Sequence, residues 1–309
     1  MSTAVEIVEV GPRDGLQNER AMLSVETKVE LIKRLVAAGV RRLEVASFVN
    51  PKRVPQMADA EQVLAALPKS DGVSYIGLVL NQKGFERALA AGCQEVSMAV
   101  VASDTFNRKN QGVSTEQSIQ DWLSIAAAAR AAGVRAQVTI SAAFGCPFEG
   151  EISVARVVEI AKQVAVGLPI EIALADTIGV AVPVHVSEMI LRVAEAIPGI
   201  KLRCHFHNTR NTAIANCQAA LIAGVRVFDA SVGGAGGCPF APAATGNVAT
   251  EDLLYMLQRS GIHTGISLEQ IIDTARWLQP QLGHDLSGSV TKAGIFPPQA
   301  MNGSRSTAH

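Results

Sequence analysis

The chain has 309 residues, a formal net charge of -1, 48% hydrophobic residues and only 18% charged and 4% aromatic residues. Such a chain can bury a large core as one big domain or two ordinary ones, and its near-neutral balance with few rings excludes the basic, stacking surface of a nucleic-acid binder. No apolar run approaches bilayer-spanning length, and Met1-Ser2-Thr3-Ala4 leads into a strand pattern without a charged and then apolar leader, so no membrane partner and a cytoplasmic location are expected.

In chain order, the first strand pattern, Val5 to Val10, is followed by the polar turn Gly11-Pro12-Arg13-Asp14-Gly15-Leu16-Gln17. A helix-to-strand join then recurs: Ala37-Ala38-Gly39-Val40, Ala90-Ala91-Gly92-Cys93, Ala131-Ala132-Gly133-Val134 and Ile222-Ala223-Gly224-Val225. Each ends an apolar-periodic helix on a glycine suited to the left-handed cap and enters a β-rich run. Further strands are predicted near 42–47, 74–80, 95–101, 135–141, 170–175, 201–207 and 225–231. Helices fall near 24–38, 56–67, 84–91, 115–132, 154–166, 184–196, 212–223 and 251–259. About eight β-then-α units over roughly 250 residues meet the requirement of a (β/α)8 barrel. The rival, a doubly wound open sheet, is weakened because no Gly-x-Gly-x-x-Gly follows the first strand. One more helix over 267–282 gives a C-terminal helical extension. We read 1–300 as a single catalytic barrel domain and 301–309 as a polar tail.

Barrel enzymes carry their chemistry at the C-terminal ends of the strands. In Leu202-Arg203-Cys204-His205-Phe206-His207-Asn208 the two-residue period of a strand points His205 and His207 the same way, as a chelating pair. The ends of other strands deliver Arg13 and Asp14, Glu44 and Ser47, and Asp176 and Thr177. After the last strand comes Gly233-Gly234-Ala235-Gly236-Gly237-Cys238-Pro239-Phe240, leading to Gly246-Asn247. Two imidazoles with oxygens from Asp14 and Asn247 make a mixed site that suits octahedral Mg²⁺ or Mn²⁺ better than closed zinc. Taken alone, Asp14 reads as a turn residue and Asn247 as a helix N-cap; their joint occurrence with the histidine pair favours ligation. Arg13 is placed to stabilise an oxyanion. Glu44 lies in the apolar run Leu43-Glu44-Val45-Ala46, where an unpaired carboxylate is costly, and Arg13 is its natural partner. Cys238, in a glycine loop, reads as a thiol able to transfer a proton. Cys146 and most of the five cysteines read as small buried hydrophobes, their odd number being no basis for a disulfide framework.

The runs from Val8 to Glu19, Ser47-Phe48-Val49, Val54-Pro55-Gln56-Met57, Asp176-Thr177-Ile178-Gly179, Gly236 to Phe240 and Gly246 to Leu253 closely resemble 3-hydroxy-3-methylglutaryl-CoA lyase, over nearly the whole chain. The resemblance implies a barrel metallolyase, working as a homodimer, that splits a branched 3-hydroxyacyl-CoA into acetyl-CoA and a keto acid. Carried over position by position, Asp14, His205, His207 and Asn247 match the metal ligands. Arg13 matches the enolate stabiliser, Cys238 the acid or base thiol, and Glu44 and Asp176 supporting catalytic carboxylates. Lys109 and Asn110 fall where the family contacts the CoA portion, and Gln17, Ser47 and Thr177 belong to the matching motifs as substrate contacts. The chain departs from the familiar lyases at Asn208-Thr209-Arg210-Asn211, where they have Asp-Thr-Tyr-Gly. Arg210 is there either to recognise a repositioned carboxylate or as a solvated cation at a helix start. The acyl group is thus open between 3-hydroxy-3-methylglutaryl-CoA and an analogue such as citramalyl-CoA. A Claisen-type synthase working from a 2-keto acid is the further alternative.

Overall fold

The structure, a computed structural model, describes residues 4–68, 71–238 and 241–297, with backbone only at 238 and 241–245. The expected polar tail lies outside the described residues. Eight parallel strands pair in chain order and close into a barrel: β1 Glu6–Glu9, β2 Arg42–Ser47, β3 Ser74–Val79, β4 Glu95–Val101, β5 Arg135–Ser141, β6 Glu171–Asp176, β7 Lys201–Phe206 and β8 Val227–Ala230, with β8 paired back to β1. Between them run α1 Val25–Ala37, α2 Ala60–Ala66, α3 Gln82–Ala90, α4 Asp104–Gln111, α5 Thr115–Ala131, α6 Val154–Ala165, α7 Pro183–Ala196 and α8 Ala213–Ile222. After β8 come a ribbon, β9 Gly237–Cys238 with β10 Ala241–Thr245, and the helical extension α9 Thr250–Arg259, α10 Leu268–Leu282 and α11 Ser289–Ala293. This is the (β/α)8 barrel with a C-terminal helical extension that the strand spacing predicts. No described helix is long and apolar enough to cross a membrane.

Local chemistry sets the boundaries. Ser24, Asn81, Ser103, Ser114, Ser153 and Ser267 each accept a backbone N–H at a helix start. The four join glycines, Gly39, Gly92, Gly133 and Gly224, adopt φ of 106°, 84°, 69° and 103°, so each does end its helix in the left-handed region. Where expectation and structure differ, polarity is the reason. α4 was missed because Asp104–Gln111 has no apolar stripe; only Phe106 and Asn107 are buried on it. The helix expected from 56 begins only at Ala60, after a 3-10 turn at Pro55–Met57.

The helices pack their apolar faces on the outside of the barrel, burying residues such as Ile32, Trp122, Phe206 and Leu278. The inside is different. A small apolar cluster, Val8, Val10, Ile76 and Val227, shares it with charged side chains at the strand starts, among them Arg42, Glu95 and Glu171. These are paired: Arg42 lies 2.5 Å from Glu95 and 2.8 Å from Glu171.

Glu9, at the end of β1, is fully buried; its Oε1 accepts Gly11 N at 2.8 Å and Val232 N at 2.9 Å, and its Oε2 lies 2.7 Å from Thr250 Oγ1. Burial pushes its carboxyl up to about 7 against these hydrogen bonds, with Glu251 adding repulsion. Oε1 accepts from both amides and Oε2 accepts from the threonine hydroxyl, yet burial outweighs all three. The folded state then holds a proton that the unfolded chain releases near 4.5, so stability is greatest below 4.5 and falls as pH rises through about 7. Glu9→Gln is expected to flatten that decline, which is on the order of 2–3 kcal/mol, in urea melts at a series of pH values. An unchanged pH slope in the variant would show that Glu9 is ionised throughout.

Candidate active site

The turn after β1 is a π-type turn over Gly11–Gly15, closed by Gly15 N on Val10 O at 3.1 Å. It lifts Arg13 and Asp14 over the C-terminal mouth of the barrel, where each side chain is only partly exposed, 13% and 15%. From β7, Arg203 and His205 face inward, and His207 follows on the same face while Cys204 and Phe206 are buried toward the helices. His207 bridges Asn247, and three backbone hydrogen bonds, Asn208 N to Gly246 O, Val248 N to Phe206 O and Ser231 N to Val248 O, sew 246–248 between the ends of β7 and β8. Gly246 permits this crossing: a Cβ there would overlap the carbonyl of Gly234. Helix α9 takes Ala249 as its N-cap, so Asn247 is not a capping residue.

Asp14, His205 and His207 thus offer donor atoms all within 4.8 Å of one another. His207 Nε2 stands 3.8 Å from Asp14 Oδ2, and Asn247 Nδ2 donates to the same oxygen at 2.9 Å and to Ala235 O at 3.1 Å. The residues fit a divalent cation. Among the described residues His207 Nδ1 is buried without a hydrogen-bond partner, and the amide keeps its nitrogen on protein acceptors, leaving Oδ1 as its ligand atom. Electrostatics agree: burial, reinforced by His205, lowers the His207 imidazole to about 4, the neutral ligand form. Burial opposes ionisation of Asp14, yet Arg13 and the two imidazoles hold its carboxyl well below the usual range. His205 is likewise opposed by burial but raised by its hydrogen bond with Asp229, Nδ1 to Oδ2 at 3.1 Å.

Arg13 is pinned from two sides. Its Nε donates to Glu44 Oε2 at 2.6 Å, its Nη2 contacts the same oxygen, and its Nη1 donates to Asp14 Oδ1 at 2.7 Å. The guanidinium carries five N–H groups, so an N–H on each terminal nitrogen is left over for the mouth. Glu44 is also gripped by Ser97 Oγ of β4, a close contact on Oε1. With both oxygens occupied, Glu44 serves to position Arg13, as the sequence pairing suggested; Ser97 itself was not foreseen. Asp176, fully buried, accepts Val180 N and Ala181 N, each at 2.9 Å, and burial raises its carboxyl, so it shapes the loop after β6.

Of the expected substrate contacts, Ser47 Oγ is buried with no hydrogen-bond partner among the described residues, and Thr177 Oγ1 accepts Ala142 N at 2.8 Å. Gln17 is half-buried just past the π-type turn. Lys109 and Asn110 lie exposed at the end of α4, the Lys109 ammonium 5.0 Å from the Phe148 ring centre. Arg210 donates through Nη1 to the carbonyls of Ile178 and Gly179, at 3.1 and 2.8 Å, bracing the loop that Asp176 shapes. The side chain of Cys238 lies outside the described residues. Its backbone is drawn to the β1 turn by Asn18 Nδ2, which donates to Gly237 O at 2.7 Å. Cys146 is buried against Ser103 Oγ at 2.9 Å, in keeping with a structural role.

A closed barrel whose mouth joins a two-imidazole, carboxylate and amide pocket to a pinned guanidinium defines an enzyme built for cation-assisted chemistry on an anionic substrate. The chain belongs to the HMGL-like family, whose model matches residues 4–278. It is 46% identical, over 97% of its length and 98% of the relative's, to the (R)-citramalyl-CoA lyase of Chloroflexus aurantiacus. It is 45% identical, over 94% of its length and 96% of the relative's, to the hydroxymethylglutaryl-CoA lyase of Pseudomonas mevalonii. Among solved structures, an HMG-CoA lyase from Acenitobacter baumannii in complex with coenzyme A and 3-methylmalate superposes with a TM-score of 0.92 at 38% identity, covering 96% of this chain and 97% of that one.

Proposed function

We propose that the protein is a carbon–carbon lyase that cleaves 3-hydroxy-3-methylglutaryl-CoA, or a close 3-hydroxyacyl-CoA, into acetyl-CoA and a keto acid, acetoacetate in the first case. The observation that carries this reading is the pinned Arg13 standing directly beside the Asp14, His205 and His207 pocket. Asp14, His205, His207 and Asn247 would hold the cation, Mg²⁺ or Mn²⁺ by the hardness of the donor set, and the ion would supply Lewis acidity and a chelating template for the substrate's hydroxyl and carboxylate.

In the reaction the Cys238 sulfur, as thiolate, would take the proton of the substrate hydroxyl, which becomes the carbonyl of the keto acid. The bond to the thioester's α-carbon breaks, and its electron pair passes into the thioester as an enolate. Arg13, already oriented by Glu44 and Asp14, presents its remaining N–H groups to the enolate oxygen without reorganisation at the moment of reaction. The enolate carbon then takes a proton, assigned to the Cys238 thiol, to give acetyl-CoA. The CoA portion is assigned to Lys109 and Asn110, and Gln17, Ser47 and Thr177 to the acyl group. Arg210 acts on that group at one remove, through the loop it braces. The resemblance supports a homodimer.

A second reading follows from the Chloroflexus relative together with the departure at Asn208–Asn211. Citramalyl-CoA is one methylene shorter between carbinol carbon and carboxylate, and the same machinery would release pyruvate. The deciding assay follows acetyl-CoA release from both thioesters. Release from 3-hydroxy-3-methylglutaryl-CoA is expected to stop with chelator and return with Mg²⁺ or Mn²⁺. Turnover of citramalyl-CoA alone would select the second substrate, and chelator-insensitive release would remove the cation from the mechanism.

A further inference from the structure

Below the cation pocket the paired charges inside the barrel form a continuous ladder. Arg42 bridges Glu95 and Glu171; Arg203 of β7 meets Glu171 at 3.2 Å and, through Nε, Asp229 Oδ1 of β8 at 3.3 Å; Asp229 Oδ2 then meets His205 Nδ1 at 3.1 Å. The top three members are buried, Arg203 at 3%, Asp229 at 6% and His205 at 8% exposure. Asp229 therefore places one oxygen in an ion pair with the guanidinium below, without hydrogen-bond geometry among the described residues, and the other on the imidazole above.

A neutral imidazole has two tautomers of similar energy, and only one leaves a bare lone pair on Nε2. A carboxylate facing Nδ1 selects that tautomer, and holding the ring at a second point fixes the direction in which Nε2 aims. We infer that Asp229, anchored by Arg203, is a positioning residue for the cation pocket: it holds His205 by Nδ1–H and turns Nε2 toward the space shared with Asp14 and His207. This rests on reading that space as a divalent-cation site. The two histidines are then unequal. His205 is oriented before any ion arrives, whereas His207 Nδ1 has no hydrogen-bond partner among the described residues and its Nε2 stands 3.8 Å from Asp14 Oδ2. The rival explanation is that Asp229 merely neutralises Arg203 and that its approach to His205 is incidental.

The first test needs no variant. In metal-free, ¹⁵N-histidine-labelled protein, at a pH alkaline enough that the ring is neutral and with the signals assigned by their loss in His205→Gln, His205 is expected as the Nδ1–H tautomer; a neutral ring carrying its proton on Nε2 overturns the inference. The second uses the isosteric Asp229→Asn, whose amide can either accept from or donate to Nδ1 and so no longer selects a tautomer. Its affinity for Mn²⁺ by calorimetry is expected to fall about 10- to 100-fold. Activity lost at limiting Mn²⁺ should return as the ion is raised. Wild-type affinity in a folded Asp229→Asn protein would leave Asp229 as a counter-ion only. Failure of the wild type itself to bind Mn²⁺ would instead overturn the pocket reading on which the inference stands.

Discussion

Replacing Arg13 with methionine is expected to lower kcat by about 10²- to 10³-fold, the usual loss when a preorganised oxyanion donor is removed. Substrate binding should change far less, because the N–H groups concerned meet their partner only as the enolate forms. Cation affinity should be kept or slightly improved. Asp14 loses a counter-ion 2.7 Å from its Oδ1, which frees that oxygen and removes a positive charge from the edge of the pocket. Arg13→Lys should rescue little, since one ammonium cannot span Glu44, Asp14 and the enolate as the planar fork does. Turnover measured at saturating Mn²⁺, alongside calorimetric Mn²⁺ binding, separates these effects. Parallel loss of both would mean that Arg13 builds the pocket itself.

Arg42→Met is expected to be the most damaging single change to stability away from the mouth. It would leave Glu95 and Glu171, both buried, facing each other's space without the guanidinium that now bridges them. Removing one partner of a buried ionic group costs about 3–5 kcal/mol, mostly as the penalty of the stranded charge. The lower end applies here, because Glu95 keeps Arg135 at 2.6 Å and Glu171 keeps Arg203 at 3.2 Å. Urea unfolding of wild type and variant reads the difference, and a loss below about 1 kcal/mol would show that the remaining arginines suffice.

What the sequence made legible follows from periodicity. The strand period of two placed His205 and His207 on one face, and the glycine joins marked the units of the barrel. A carboxylate in an apolar run drew attention to Glu44, yet the same signal sits in Val227-Phe228-Asp229-Ala230 and was passed over, although Asp229 proves to be the partner of His205. Ser97 carried no signal, because a hydroxyl in a strand is unremarkable until the glutamate it grips is known. Arg210 was ambiguous between substrate and solvent because its acceptors are backbone carbonyls 31 and 32 positions away, and no side-chain pattern announces a carbonyl. The π-type turn was equally invisible, being a matter of backbone winding around Arg13 and Asp14 rather than of residue type.

The cation pocket is assembled across the seam where the barrel closes. Asp14 leaves the end of the first strand, and Asn247 returns to it 233 residues later, sewn between the last two strands. A nascent chain can therefore pair Arg13 with Glu44 once the second strand has emerged, but Asp14 meets its imidazole and amide partners only after the seventh strand and the segment beyond the eighth have followed. A partial barrel would lack the pocket, so cation binding becomes a reporter of barrel closure.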